Sequence, residues 1–444
     1  RRAAELEQEG RVRRARRARC TRSRLLSADP GASIDQRLAA AGLPPLPRTA
    51  WAEIDLDALT ANLAVLRRLA GPGTPVHPVI KGNAYGHGVL PVARALVAAG
   101  ADGFCVATFD EALRLRRAGI ALPVLVLFGI PAALAGVAAG EGIAVTADDA
   151  ALLDALLAAL RDSAPDRPLD IQLEVETGLG RGGFPLNAVV AAARAIADVD
   201  GARLTGVWTH FQAPEDAART NAQVQRFEEA TETLAAAGFN LPRHVAASGG
   251  LVLVGDLGLD GARPGLSLYG LIPDDLLAPG APALAQGAEE LRPVLSLRAR
   301  PVRVLEVPAG WGISYGPTFT TQRPSRIATL PLGYGDGWSR ALSNRASALV
   351  RGTRVPLVGN VAMDAVMADV TDVPGVPVTV ADEFVLIGEQ GGDRITAAEV
   401  ATARGTNSWE VVTTLSARLP RVYDAAAVPQ GLLTLTGDDS AGRS

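Results

Sequence analysis

The feature that most constrains this chain is an alternation of short β-rich runs with longer helical ones, beginning near residue 50. Candidate strands fall at 76–80, 103–107, 124–128, 143–146, 170–176, 203–209, 243–247 and 260–263. Segments of helical period separate most of them, at 89–99, 110–118, 148–160, 187–198 and 217–238. Strands that must run parallel need a crossover to return the chain to the same end of the sheet, and a helix is the usual one. Eight such units in succession predict an α/β fold of the closed (β/α)8, TIM-type barrel kind. An open, doubly wound sheet is the competing architecture, but no Gly-x-Gly-x-x-Gly follows the first strand to support it. Ahead of the barrel, 52–56 reads as an extended entry strand. Asp57 reads as the cap of a helix with Leu59, Leu63 and Leu66 on one face.

The texture changes after about residue 290. Stretches 294–307, 326–332 and 348–370 are rich in Val, Leu and Thr and are separated by turn residues, which predicts a β-rich second domain. Leu291-Arg292-Pro293 marks the boundary, and one late helix is expected at about 408–418. The chain therefore divides into a basic extension expected to be disordered (1–48), a barrel (49–290), a β-rich C-terminal domain (291–432) and a polar tail (433–444).

Composition removes several function classes. With 444 residues, 48% of them hydrophobic, the chain can bury a large core without cross-links. The two cysteines, Cys20 and Cys105, form no disulfide framework, so a reducing cytoplasm is expected. A net charge of −4 gives no pull toward nucleic acid or an anionic membrane. The first 24 residues hold ten arginines and three glutamates. No apolar block follows them, so they read as a solvated extension rather than a secretory signal or a nucleic-acid arm. The apolar stretch 123–140 is broken by Pro131 and several glycines, and reads as strand, turn and helix rather than a membrane span. No metal site is expected.

The most informative compositional fact is that Lys81 is the only lysine among 43 Lys and Arg residues. In so arginine-rich a chain, a retained lysine points to a task that arginine cannot perform. A guanidinium stays protonated, whereas a lysine amine can lose its proton and attack a carbonyl carbon. Lys81 ends the first barrel strand, and the C-terminal ends of barrel strands face the active site. A glycine-rich turn follows it at once. The loops after strands seven and eight, where barrels often bind phosphate, hold Ser248-Gly249-Gly250 and Gly265-Leu266. A hydroxyl and bare backbone N–H groups suit a phosphate dianion. A carbonyl-reactive lysine and a phosphate cradle together point to pyridoxal 5'-phosphate.

At this point the sequence resembles the alanine racemase family. Val79-Ile-Lys-Gly-Asn-Ala-Tyr-Gly-His-Gly88 is similar to its cofactor motif. Further segments follow in family order: Glu176-Thr-Gly-Leu-Gly-Arg181, Thr209-His-Phe211, Arg263-Pro-Gly265, Ser314-Tyr-Gly316, Gly333-Tyr-Gly-Asp336, Met363-Asp364 and Arg418-Leu-Pro-Arg-Val-Tyr423. The resemblance covers roughly residues 50–425 and implies a cytoplasmic homodimer with shared active sites that interconverts L- and D-alanine and supplies D-alanine for peptidoglycan. It implies that Lys81 carries pyridoxal phosphate and serves as base on one face of Cα, while Tyr315 of the other subunit serves the opposite face. A phenol at its ordinary pKa near 10 is a poor base at neutral pH. The resemblance gives His210, hydrogen-bonded to Arg263, the task of assisting it. Arg263 would meet the pyridine nitrogen as a permanent donor. Arg181 and the backbone at Met363 would hold the substrate carboxylate. Tyr85, Ser248, Gly265 and Leu266 would hold the phosphate. Tyr334 and Asp364 are expected to support the site.

Two departures from the family pattern matter. Many members carry a carbamylated lysine where this chain has Glu174, and a carboxylate offers the same two oxygens and negative charge. Glu174 is therefore expected to orient Arg181 without modification. Trp409 stands where the family has a phosphate-contacting tyrosine, so an indole N–H replaces a phenol. Ala362, Asn360 and Ala247 replace a common cysteine, arginine and asparagine. These changes leave room for a broader amino-acid racemase. A barrel-type amino-acid decarboxylase would need a catalytic cysteine in the second domain, and there is none. A non-catalytic pyridoxal-phosphate carrier would resemble the barrel alone.

Overall fold

The computed structural model describes residues 32–245, 247–255 and 258–440. The N-terminal arginine cluster and Cys20 lie outside them. Strands β2 (Phe104–Val106), β3 (Val124–Val126), β4 (Ile143–Ala147), β5 (Leu169–Glu174), β6 (Ala202–Trp208) and β7 (Arg243–His244) form a parallel sheet in chain order. Their residues are mostly buried, as expected where helices cover one face and the barrel interior lies on the other.

Two further stretches close the circle without being regular strands. Ile80 N–H donates to Cys105 O (2.9 Å), and Cys105 N–H to Pro78 O (3.0 Å). On the other side, His77 N–H donates to Ala262 O (2.8 Å), Ala262 N–H to Pro75 O (2.9 Å), and Asp260 N–H to Arg243 O (2.9 Å). The expected first and eighth strands are thus present as bridged segments. Pro75 and Pro78 lack the N–H that a continuous ladder would require. The helices between the strands lie where the periodicity put them: α3 (Val89–Ala98), α4 (Phe109–Arg117), α6 (Ala150–Ser163), α7 (Val189–Ala197) and α8 (Ala217–Ala236), with the short α5 (Ala135–Gly140) between α4 and α6.

The second layer is a twelve-stranded sheet, and it begins earlier in the chain than the sequence suggested. β1 (Ala50–Asp55) pairs parallel with β16 (Arg421–Ala425) and antiparallel with β8 (Leu295–Ala299). The entry strand therefore belongs to the C-terminal domain's sheet, not to the barrel. Its alternation explains the placement: Ala50, Ala52 and Ile54 face the main core, while Trp51 faces a separate cluster. The cap of the following helix α2 (Leu56–Leu69) is Asp55, whose carboxylate accepts from Ala58 N–H (2.8 Å). Asp57, expected there, lies in the first turn instead.

Three other expectations are corrected. Within the segment read as a disordered extension, Ser33 and Gln36 form a capping box that starts helix α1 (Ile34–Ala40). Ile34, Leu38 and Leu43 then pack on Trp51, Val422 and Leu432. The polar tail begins as a hairpin, in which β17 (Val428–Thr434) pairs with β18 (Gly437–Ser440). The single late helix is two, α10 (Ala397–Arg404) and α11 (Ser408–Thr413), separated where Gly405 turns left-handed and Asn407 caps the second.

Candidate active site

Lys81, at the C-terminal end of the first barrel segment, opens into a cavity of about 820 Å³. The volume suits a cofactor with a small substrate. Tyr85, Arg181, His210 and Ser248 line the same cavity, as do Arg263, Gly265 and Leu266. All come from loops at one end of the barrel, as the strand-end rule requires. Trp409 reaches in from α11 of the second domain. Burial and the Arg181 guanidinium pull the Lys81 ammonium below its ordinary pKa, with the Glu111 carboxylate opposing them. An amine that sheds its proton more easily is a better nucleophile.

The residues expected to cradle a phosphate pack against one another. Ser248 (first residue of α9, Ser248–Val254) accepts Gly265 N–H (3.0 Å) and Ser267 N–H (3.1 Å) on its Oγ, which leaves its hydroxyl proton to donate. A Cβ on Gly265 would lie 2.5 Å from the Tyr85 hydroxyl, so only glycine permits that approach. Burial pushes the Tyr85 phenol above its ordinary pKa, which keeps it a donor. The Tyr85 and Ser248 hydroxyls, both donors, thus line the cavity that Lys81 opens into. This donor set fits pyridoxal phosphate.

Arg181 donates to Glu174 Oε1 (2.9 Å), and Glu174 is only 2% exposed. The guanidinium also lies 5.4 Å from the Phe128 ring centroid. Arg263 is fully enclosed. It donates to Thr209 O (2.9 Å) and His244 O (3.1 Å), contacts His244 Nδ1, and stacks 4.6 Å from the Trp208 ring. His244 Nε2 in turn meets Gln172 Oε1 (2.7 Å). Among the described residues, then, Arg263 is held by His244 and Thr209 and not, as expected, by His210. Burial and the Arg263 and Arg181 charges push the His210 imidazole down to about 3, so it is neutral. The sequence reading missed His244, Gln172 and Trp208. The available signal was that Gln172 and Glu174 share one face of β5, two residues apart, inside a barrel.

Tyr315 and Met363 lie outside this cavity, on the second domain, 78% and 52% exposed. Tyr334 is exposed near them: its N–H donates to Ala362 O (3.1 Å), and Gly335 N–H to Met363 O (2.9 Å). Asp364 accepts from Arg418 Nη2 (2.5 Å). Among the described residues no cluster of metal-type ligands occurs, and no helix is long and apolar enough to cross a membrane.

A barrel whose mouth presents one lysine, a guanidinium–carboxylate pair and two hydroxyls, backed by a β-rich domain, has the form of a barrel enzyme with a carbonyl-reactive amine in its site. Comparisons place it further. The model of the alanine racemase N-terminal domain matches residues 54–273, and that of the C-terminal domain matches 294–423. An alanine racemase of Symbiobacterium thermophilum is 42% identical over 379 residues, 85% of this chain and 97% of that protein. The crystal structure of alanine racemase from Bacillus anthracis with bound L-Ala-P is 32% identical, with a TM-score of 0.81, covering 88% of this chain and 99% of that one. That of alanine racemase from Bartonella henselae with covalently bound pyridoxal phosphate is 29% identical, with a TM-score of 0.74, covering 85% and 100%. The chain belongs to the alanine racemase family, whose members depend on pyridoxal phosphate.

Proposed function

We propose that this enzyme interconverts L- and D-alanine with Lys81 and Tyr315 as its two bases. The observation that carries the reading is that the chain's one lysine lies in the cavity that also holds Arg181 and the Tyr85–Ser248–Gly265 cradle. Pyridoxal phosphate, when bound, supplies a conjugated ring that accepts electron density as the Cα proton leaves. Lys81 would carry it, and would hold or return a proton on one face of Cα. Arg181, oriented by Glu174, binds the alanine carboxylate by charge-assisted hydrogen bonds. Arg263 is a donor that stays charged and would meet the ring nitrogen without protonating it. That would restrain charge build-up on the ring and disfavour side reactions. Tyr85, Ser248, Gly265, Leu266 and Trp409 hold the phosphate end.

The second base must come from elsewhere, because Tyr315 lies outside its own chain's cavity. A homodimer is part of this proposal: its C2 symmetry would bring Tyr315 and Met363 of the partner subunit to the mouth beside Lys81. Tyr334 and Asp364 then buttress that surface. The role is a cytoplasmic one, supplying D-alanine for peptidoglycan.

The test has two arms. Chiral analysis after incubation with L-alanine should show D-alanine accumulating toward equal amounts, and borohydride reduction of the loaded enzyme followed by peptide mapping should mark Lys81. Carbon dioxide release, or a mark elsewhere, overturns the reading. The alternative of a wider amino-acid range is decided by the same assay with L-serine.

A further inference from the structure

The turn after Lys81 runs left-handed. Gly82, Asn83, Ala84 and Tyr85 have φ of 61°, 55°, 56° and 50°. In that conformation Cβ crowds the following carbonyl, so three successive non-glycine residues persist only if their surroundings force them.

The far end of the turn is gripped from several sides. Val89 N–H donates to Asn83 Oδ1 (3.0 Å). His87 Nδ1 faces two carbonyls, Ala84 O (3.0 Å) and Tyr85 O (2.9 Å), and so carries the ring proton. The second domain adds Arg421 Nε to Gly86 O (2.7 Å) and the Tyr423 hydroxyl to His87 O (2.9 Å). At the near end, directly after Lys81, a side chain takes the Gly82 N–H: Glu111 Oε1 accepts it at 2.6 Å. The other oxygen accepts Ala107 N–H (2.9 Å) and Thr108 N–H (3.3 Å), just past β2. Glu111 also lines the cavity that Lys81 opens into.

We infer that Glu111 is a positioning residue for Lys81. By holding Gly82 N–H on one oxygen and the backbone after β2 on the other, it fixes the left-handed turn so that Lys81 and Tyr85 face one cavity. This deepens the racemase reading and rests on it. Three converging N–H donors suit a carboxylate, since an amide offers one accepting atom and turns its NH2 toward the remaining donors. The carboxylate's charge also favours the protonated state of the nearby lysine nitrogen. The competing reading is that Glu111 merely completes the capping box of α4 with Thr108.

Loaded enzyme is compared as wild type, Glu111→Gln, Glu111→Asp and Thr108→Ala. The readouts are kcat and KM for L-alanine and the pH midpoint of the lysine-bound cofactor's absorbance. Glu111→Gln should lower kcat at least about tenfold with little change in KM, and should move the midpoint to lower pH. Glu111→Asp keeps the charge and loses reach, so kcat falls while the midpoint stays near wild type. It carries the test if the glutamine variant does not fold. Thr108→Ala should lower the melting temperature, leave kcat and KM within about twofold, and leave the midpoint near wild type. Unchanged kcat and midpoint in the Glu111 variants, or the same losses in Thr108→Ala, overturn the inference. Failure of borohydride to mark Lys81 in wild type sinks the racemase reading instead, independently of Glu111.

Discussion

Glu174 is where this chain departs most from its family pattern, and the geometry explains how it manages. Its carboxylate reaches Arg181 at 2.9 Å from a buried position. Burial raises its pKa and the guanidinium lowers it, while Asp148 nearby raises it further. A charge-assisted bond formed away from water fixes Arg181 in one rotamer. Glu174→Gln keeps the volume and removes the charge, so KM for alanine should rise about tenfold, with kcat changed less. Steady-state kinetics checks this, and an unchanged KM means that Arg181 is held by its contact with Phe128. Glu174 was legible in the sequence because its neighbours align with a known motif. The partners of Arg263 were not. The backbone path after β6 and β7 decided that the guanidinium meets His244 and the Thr209 carbonyl, and no local spacing encodes it.

Among the elements, α1 and β16 carry testable consequences. Leu38 is fully buried on Trp51, Val422 and Leu432, so Leu38→Ala should cost about 2–4 kcal/mol, read as a lowered denaturant midpoint. A disordered segment would show no change. Arg37 of α1 also bridges Glu53 (3.2 Å) on β1 and Asp424 (3.0 Å) on β16. Burial, reinforced by Glu53, pushes Asp424 up to about 7 despite Arg37. Its folded pKa thus exceeds its unfolded value, so between about pH 4 and 7 the native state holds a proton that the unfolded chain has lost. Stability should therefore fall as pH rises through that window. Asp424→Asn should flatten this part of the profile of melting temperature against pH, and an unaltered slope would assign it to other groups. The helix was hidden in the sequence because α1 is one short amphipathic turn or two beside an arginine-rich stretch. Its stability comes from packing on β1 and on strands at the far end of the chain.

At the scale of the whole molecule, an exposed Tyr315 and a cavity that lacks it are what the proposal of a site shared by two chains rests on. Lys81→Ala and Tyr315→Phe should each be inactive alone. Mixed after dissociation, half the dimers are hybrid, and each hybrid restores one of its two sites, so activity should recover to about a quarter of wild type. Recovery is measured by D-alanine formation after remixing. Activity that stays at the level of the separate variants means that both bases act within one chain.

The sequence alone determined the barrel, the position of Lys81 at its mouth and the β-rich second domain. Each is written in local periodicity or in short segments whose spacing survives folding. Tertiary structure alone decided that β1 joins the C-terminal sheet, that α1 docks beneath it, and that the turn after Lys81 is left-handed. It also decided that Arg263 rests on His244. These depend on contacts between residues far apart in the chain, where hydrogen-bond partners and buried neighbours outweigh the preferences of any one segment.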